Sequence, residues 1–217
     1  MNFLAHLYLA DLTGDSFIGH LLGDFVKGRD MQGYSREIQA AIMFHRKIDS
    51  FCDAHPVTRV SRNRIGPRRR RFAGVIVDVC YDHFLARHWH CFHSEPLTVF
   101  ARRAYGALKR DRTLLPEKFG SVVQRMIAYD WLGGYFHLDK VAVALDRTAG
   151  RLSCGERFKG GIADILHDYR ALQGDFQAFF PEIIRFSRDY GNSAASLQTS
   201  AGSDNWKGKP WPCMTIP

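Results

Sequence analysis

The sequence predicts an all-α protein, folded as a single-domain helical bundle. Three observations carry this. Apolar residues recur at helical spacing, as in the stripe Ile38, Ala41, Ile42, His45, Ile48 and Asp49. No segment shows the period-two alternation of a half-buried strand. Proline and glycine punctuate the chain where helices start and stop.

Residues 3–11, with Phe3, Leu4, Leu7, Tyr8 and Leu9, read as a short helix. Asp15 or Ser16 caps a second, whose buried side is Ile18, Leu21, Leu22, Phe25 and Val26, with Gly28 as its stop. Ser35 precedes a longer helix over Ile38 to Phe51, which ends by Pro56. An arginine-rich loop centred on Gly66-Pro67 follows, then a helical stretch over 70–91. Pro96 opens a helix to about Lys109, and Pro116 opens another to 131. Gly133-Gly134 is a turn, 137–150 is helical, Cys154-Gly155 is a break, and 156–190 gives one long helix or two. After Gly191 the composition shifts to Ser, Gly, Pro and Asn. We divide the chain into a helical domain over 1–190 and a tail over 191–217, partly ordered through Trp206 and Trp211.

A length of 217 residues fits one domain, and 46% hydrophobic content supplies a sizeable core. No run reaches 18 apolar residues, which argues against a membrane span. The N-terminus lacks a positive n-region, which argues against a secretory signal. The five cysteines are scattered, with no CxxC pair, as expected of reduced thiols in a cytoplasm. The net charge of +8 favours an acidic partner. The stretch Arg59 to Arg71 is the densest charge, either a solvated basic loop or a docking surface through Arg68, Arg69, Arg70 and Arg71.

The chemistry concentrates in the first 90 residues. His45 and Asp49 stand four apart, as do Asp78 and Asp82, with His83 adjacent. Residues four apart share a helix face, so each pair aims two ligands at one spot. His6 and Asp24 complete the candidate set. Imidazole with carboxylate suits Mn²⁺ or Mg²⁺, and also Fe or Zn. Asp78 lies among apolar neighbours in GVIVDVCYDHF, where a carboxylate is costly to bury unless it is paired or ligates a metal. Two carboxylates one turn apart repel, and a cation relieves that repulsion. The competing reading pairs Asp78 or Asp82 with Arg71 or Arg87, and Asp24 with Lys27 or Arg46. Gly23 lets a helix or substrate approach Asp24 closely. Asp53 and His55 are expected either to cap helix ends or to support the metal ligands from behind.

Other chemistries fit less well. The chain has no phosphate loop, no dinucleotide fingerprint and no GxSxG elbow. His88, His90 and His93 read as a solvated helix end. Arg68 to Arg71 lack the interleaved aromatics or reader fold that nucleic-acid binding needs.

Five blocks, in order, carry a resemblance: MNFLAHLYLA, GHLLGDFVKG, HRKIDSFCDAHP, RFAGVIVDVCYDHFLARHW and FQAFFPEI. Over about residues 1–190 the chain resembles the acyl carrier protein phosphodiesterases. The resemblance implies a helical relative of the HD-type metal phosphohydrolases, with a place in fatty acid and lipid metabolism. It implies Mn²⁺ as metal and holo acyl carrier protein as substrate. The implied reaction hydrolyses the phosphodiester between 4′-phosphopantetheine and serine. Where the family has Asn and Thr, this chain has His20 and Cys52. An HD site supplies a His-Asp doublet, whereas here Asp82-His83 runs in reverse order. We expect Asp24, His45 and Asp78 to be central to turnover, and Lys27 and Arg46 to stabilise charge on the leaving oxygen. A basic enzyme with an arginine run would attract a small acidic carrier protein. The alternatives are an HD-like phosphohydrolase acting on nucleotides, and a non-catalytic helical module binding RNA or DNA.

Overall fold

The computed structural model describes residues 1–110, 113, 115–149 and 158–196, and the described residues are helical with no strand. Helix α1 (Phe3–Thr13) has buried side chains without a break from Leu4 to Ala10. A helix apolar on every side belongs inside a bundle, and α1 packs against α2 (Phe17–Leu22), α5 (Ala73–Arg87) and α11 (Tyr169–Ser196). Helix α5 is buried in the same way and also meets α4 (Pro56–Arg64), α9 (Leu138–Ala149) and α10 (Ile162–His167). Helices α3 (Arg36–Ala54), α6 (Leu97–Arg110), α7 (Glu117–Ala128) and α8 (Trp131–Gly134) complete the set.

The capping chemistry follows the sequence. Ser16 Oγ accepts from the Gly19 amide at 3.2 Å, so Ser16, not Asp15, starts α2. Ser35 Oγ accepts from the Ile38 amide at 3.3 Å at the start of α3. His55 Nδ1 accepts from the Val57 amide and caps α4, while Asp53 pairs with Arg62. Phe176, Phe179 and Phe180 of α11 are fully buried and make ring contacts with Tyr8, Tyr81, Phe84 and Phe92.

Three expectations are corrected. The second helix ends at Leu22, short of Val26. Phe25 leaves it to stack on Phe119, with centroids 4.1 Å apart, and the Val26 carbonyl accepts from Arg46 at 2.7 Å. The arginine stretch is no loop: Arg59, Arg62 and Arg64 lie on α4, and Arg68 to Arg71 form a 3₁₀ turn over Pro67–Phe72. Gly133 and Gly134 end a short helix whose start is capped by Asp130. The stretch after 156 forms two helices, α10 and α11, as one of the two expected forms, and α11 runs past 190 to Ser196. Cys154-Gly155 and residues 197–217 lie outside the described residues. Cys52 and Cys80 carry free, buried thiols. No described helix is long and apolar enough to cross a membrane.

Candidate metal centre

Three elements converge on one spot. Helix α1 supplies His6, α3 supplies His45 and Asp49, and the segment after α2 supplies Asp24. Ligand atoms of His6, His45 and Asp49 all lie within 4.8 Å of one another. His6 Nε2 is 3.1 Å from Asp49 Oδ1. His45 Nε2 is 3.0 Å from Asp49 Oδ2 and 3.3 Å from Asp24 Oδ1. The two imidazoles stack, with centroids 3.9 Å apart and planes at 19°. Gly23 makes room for this. A Cβ there would lie 2.2 Å from His45 Cδ2, so the close approach expected at Gly23 is that of the His45 ring.

Asp78 joins at the edge. The Met1 α-amino group is buried between Asp49 Oδ1 at 3.2 Å and Asp78 Oδ1 at 3.5 Å. The side chains of His6 and His45 are 2% exposed, whereas those of Asp78, Asp49 and Asp24 are 28%, 35% and 52% exposed. The imidazoles therefore form a floor beneath carboxylates that face solvent.

Charge is divided sharply within this cluster. Burial, reinforced by the neighbouring His45, pushes His6 down to about 3. Burial also acts against a charged His45, but the adjacent carboxylates of Asp24 and Asp49 outweigh it and raise His45 to about 9. Asp49 is desolvated, yet its two histidines hold its carboxyl far below the usual range. Asp24 is likewise lowered, through His45. Asp78 is raised by burial.

The donor set fits a divalent cation. His6 Nδ1 and His45 Nδ1 are buried without a partner, and His45 Nε2 faces two carboxylate oxygens without hydrogen-bond alignment. Buried ring nitrogens left unmatched beside carboxylates are costly in a metal-free protein. Two nitrogens and carboxylate oxygens suit a borderline divalent ion.

Two expected ligands lie elsewhere, and those expectations are corrected. Asp82 is fully buried, and its oxygens accept from the Leu4 amide at 2.8 Å and the Ala5 amide at 3.0 Å. It caps the start of α1, where Asn2 makes no side-chain cap. His83 Nδ1 is 2.7 Å from the Tyr135 carbonyl and Nε2 is 2.9 Å from Tyr169 Oη. Both ring nitrogens are thus spent on structure. Lys27 is exposed at the end of the segment carrying Asp24. Arg46 spends one guanidinium nitrogen on the Val26 carbonyl, fastening that segment to α3. In the arginine turn, Arg69 pairs with Asp164 at 3.1 Å and Arg70 donates to Asn63 Oδ1 at 2.9 Å, while Arg68 and Arg71 are exposed.

His20, marked in the sequence only as a departure from the family pattern and not as a ligand, lies next to this cluster. It is fully buried, both ring nitrogens lack hydrogen bonds, and its centroid is 6.2 Å from that of His6. No local spacing signals this: α2 ends at Leu22, so Asp24 does not share a helix face with His20, and the carboxylate nearest its ring is Asp15 at 3.8 Å.

The model of the acyl carrier protein phosphodiesterase family matches residues 1–183. A protein of that name from Serratia proteamaculans is 34% identical over 190 residues, covering 87% of this chain and 98% of its own. One from Yersinia enterocolitica is 35% identical over 190 residues, with the same coverage. One from Escherichia coli is 32% identical over 188 residues, covering 85% and 96%. No solved structure matches the chain.

Proposed function

The chain belongs to the acyl carrier protein phosphodiesterase family, and from that premise we propose that it hydrolyses the phosphodiester joining 4′-phosphopantetheine to serine in holo acyl carrier protein. The supporting observation is the buried pair His6 and His45 on Asp49, with unmatched ring nitrogens beneath open carboxylates. His6, His45, Asp49 and Asp24 would hold the ion, with Asp78 at its margin. Mn²⁺ is the metal of this reading, and Mg²⁺ or another divalent ion is the alternative. The ion would offset phosphodiester charge and make a water nucleophilic at neutral pH.

The chain's own groups do the rest. Asp49 accepts from His6 and faces His45, fixing both rings. Solvent-facing carboxylates leave the centre open to a linkage carried on another protein. Lys27, exposed beside Asp24, can meet charge on the leaving oxygen. Arg46 acts through position, by holding the segment that carries Asp24 and Lys27. Arg68 and Arg71 offer free charge to an acidic carrier.

The test is intact mass of holo carrier protein after incubation with the enzyme and Mn²⁺. A loss equal to phosphopantetheine is expected, and it should vanish with His45→Ala or Asp78→Ala while helical circular dichroism persists. No loss with the wild-type chain overturns the reading. Nucleotide turnover in its place points to a nucleotide phosphohydrolase. Salt-sensitive nucleic-acid binding without turnover points to a binding module.

A further inference from the structure

A cavity of about 410 Å³ lies between the start of α1, one face of α5, and helices α8 and α9. That volume is within the range of roughly 300–1,000 Å³ of small-molecule sites. Val75, Tyr129 and Val143 on its wall are exposed by 37%, 63% and 44%. Large apolar groups gathered exposed around one concavity mark a binding surface.

The wall is not purely apolar. Trp131 Nε1 is buried there with no acceptor in the protein. Lys140 and Arg147 add two exposed cations. Asp130, also on the wall, sits at φ 42°, a left-handed conformation that a non-glycine residue adopts at a cost. Its carboxylate accepts from Tyr105 Oη and the Gly133 amide, which holds the turn leading to Trp131.

The cavity adjoins the metal centre. Asn2 lies on its wall, next to Met1, whose amine contacts Asp49 and Asp78. Val75 and Val79, also on the wall, flank Asp78 along α5.

We propose that this cavity receives the pantetheine portion of the substrate's prosthetic arm. The inference rests on the phosphodiesterase reading above. It places the arm on one side of the scissile linkage and the carrier protein on the other. The arm matches the lining in kind: its methyl and methylene groups meet Val75 and Val143, and its amide carbonyls accept from Trp131 Nε1 and the cations. A bare acyl chain leaves the buried indole donor unmatched, which is unfavourable.

The test is calorimetric titration of the full-length chain with pantetheine, which lacks the phosphate, in the presence of a chelator. The metal centre then contributes nothing to binding. Wild type is expected to bind. Val143→Trp and Val75→Glu, at exposed helical positions that leave circular dichroism unchanged, should each weaken binding at least tenfold and raise KM for holo carrier protein. Val99→Glu, on α6 at 43% exposure and outside the cavity, should leave pantetheine binding intact. A wild-type chain that binds no pantetheine overturns the proposal, as do variants that bind it as tightly as wild type. Binding of octanoate in place of pantetheine also overturns it. Pantetheine binding lost in Val143→Trp, in a chain that releases nothing from holo carrier protein, supports the cavity and overturns the activity.

Discussion

His6 and His45 stack ring on ring, 3.9 Å between centroids, over the single carboxylate of Asp49. Two imidazoles this close cannot both carry charge cheaply, and the structure separates them: His6 is held neutral while His45 is favoured as a cation. A divalent ion on this carboxylate would take over the charge that His45 otherwise supplies. The arrangement depends on a third residue with no side chain.

Gly23→Ala would drive a methyl group into the His45 ring, with approaches of 2.2–2.8 Å. His45 is pinned by α3, so it cannot step aside freely. Overpacking of this kind costs about 1–3 kcal/mol. We expect Mn²⁺ affinity to fall on the order of tenfold or more, as when the support of a metal ligand is disturbed. Titration of metal by calorimetry checks this; wild-type affinity in Gly23→Ala would show that the His45 ring position does not govern the centre.

Asp24 and Asp82 should separate cleanly. Asp24 is half exposed beside His45, and Asp82 is fully buried under α1. Asp24→Asn is expected to weaken Mn²⁺ binding with a smaller loss of metal-free melting temperature than Asp82→Ala, since it gives up only a half-exposed contact with His45. Asp82→Ala strips two buried amides of their acceptor, at about 1–3 kcal/mol each for an unsatisfied group. It should melt earlier. Thermal melts and metal titrations on both variants check the contrast. An Asp24→Asn protein that melts early and binds metal normally would place Asp24 among the structural carboxylates.

His83 should make the protein acid-sensitive. Burial lowers it from the usual 6.5 to about 4. Above pH 6.5 the folded and unfolded chains both keep it neutral. As pH falls from 6.5 toward 4, only the unfolded chain takes up the proton, so folded stability is lost across that window. The shift corresponds to roughly 3 kcal/mol. Melting of the metal-free chain at pH 7, 5.5 and 4.5 should show the decline. His83→Gln, with no titration here, should make the decline shallower and leave the part contributed by His6, which burial also lowers. An equally steep decline in His83→Gln would assign it to other groups.

The arginine turn should divide by role. Arg68→Ser with Arg71→Ser is expected to raise KM for carrier protein several-fold with little change in kcat. The wild-type kcat/KM should fall with salt, because exposed attractions are screened over about 10 Å at 0.1 M. Arg69→Ser, which breaks the part-buried contact with Asp164, should lower the melting temperature. Steady-state kinetics at two ionic strengths and thermal melts distinguish these outcomes. Salt-independent kcat/KM would remove the turn from docking.

The sequence by itself determined the helical class, most helix starts and the His45/Asp49 pair. These depend on local rules: a 3.6-residue period, a serine or proline at a helix start, and two ligands one turn apart. It also pointed to His6, Asp24 and Asp78 as polar groups beside apolar neighbours. Spacing alone could not say which of the two α5 carboxylates faces the centre. Asp78 and Asp82 have the same helical relation, yet Asp78 meets the Met1 amine while Asp82 turns to the α1 amides. That choice depends on where α1 packs, a contact between residues nearly eighty positions apart. His83 was spent for the same reason, on Tyr135 and Tyr169 from later helices. His20 was not chosen as a ligand because α2 stops at Leu22 and the chain turns at Gly23, so its relation to His6 exists only in the packed bundle. Local sequence sets which face of a helix is apolar; only tertiary packing, by bringing distant backbone amides and carbonyls to that face, decides which polar groups there are satisfied and which remain free to hold a metal.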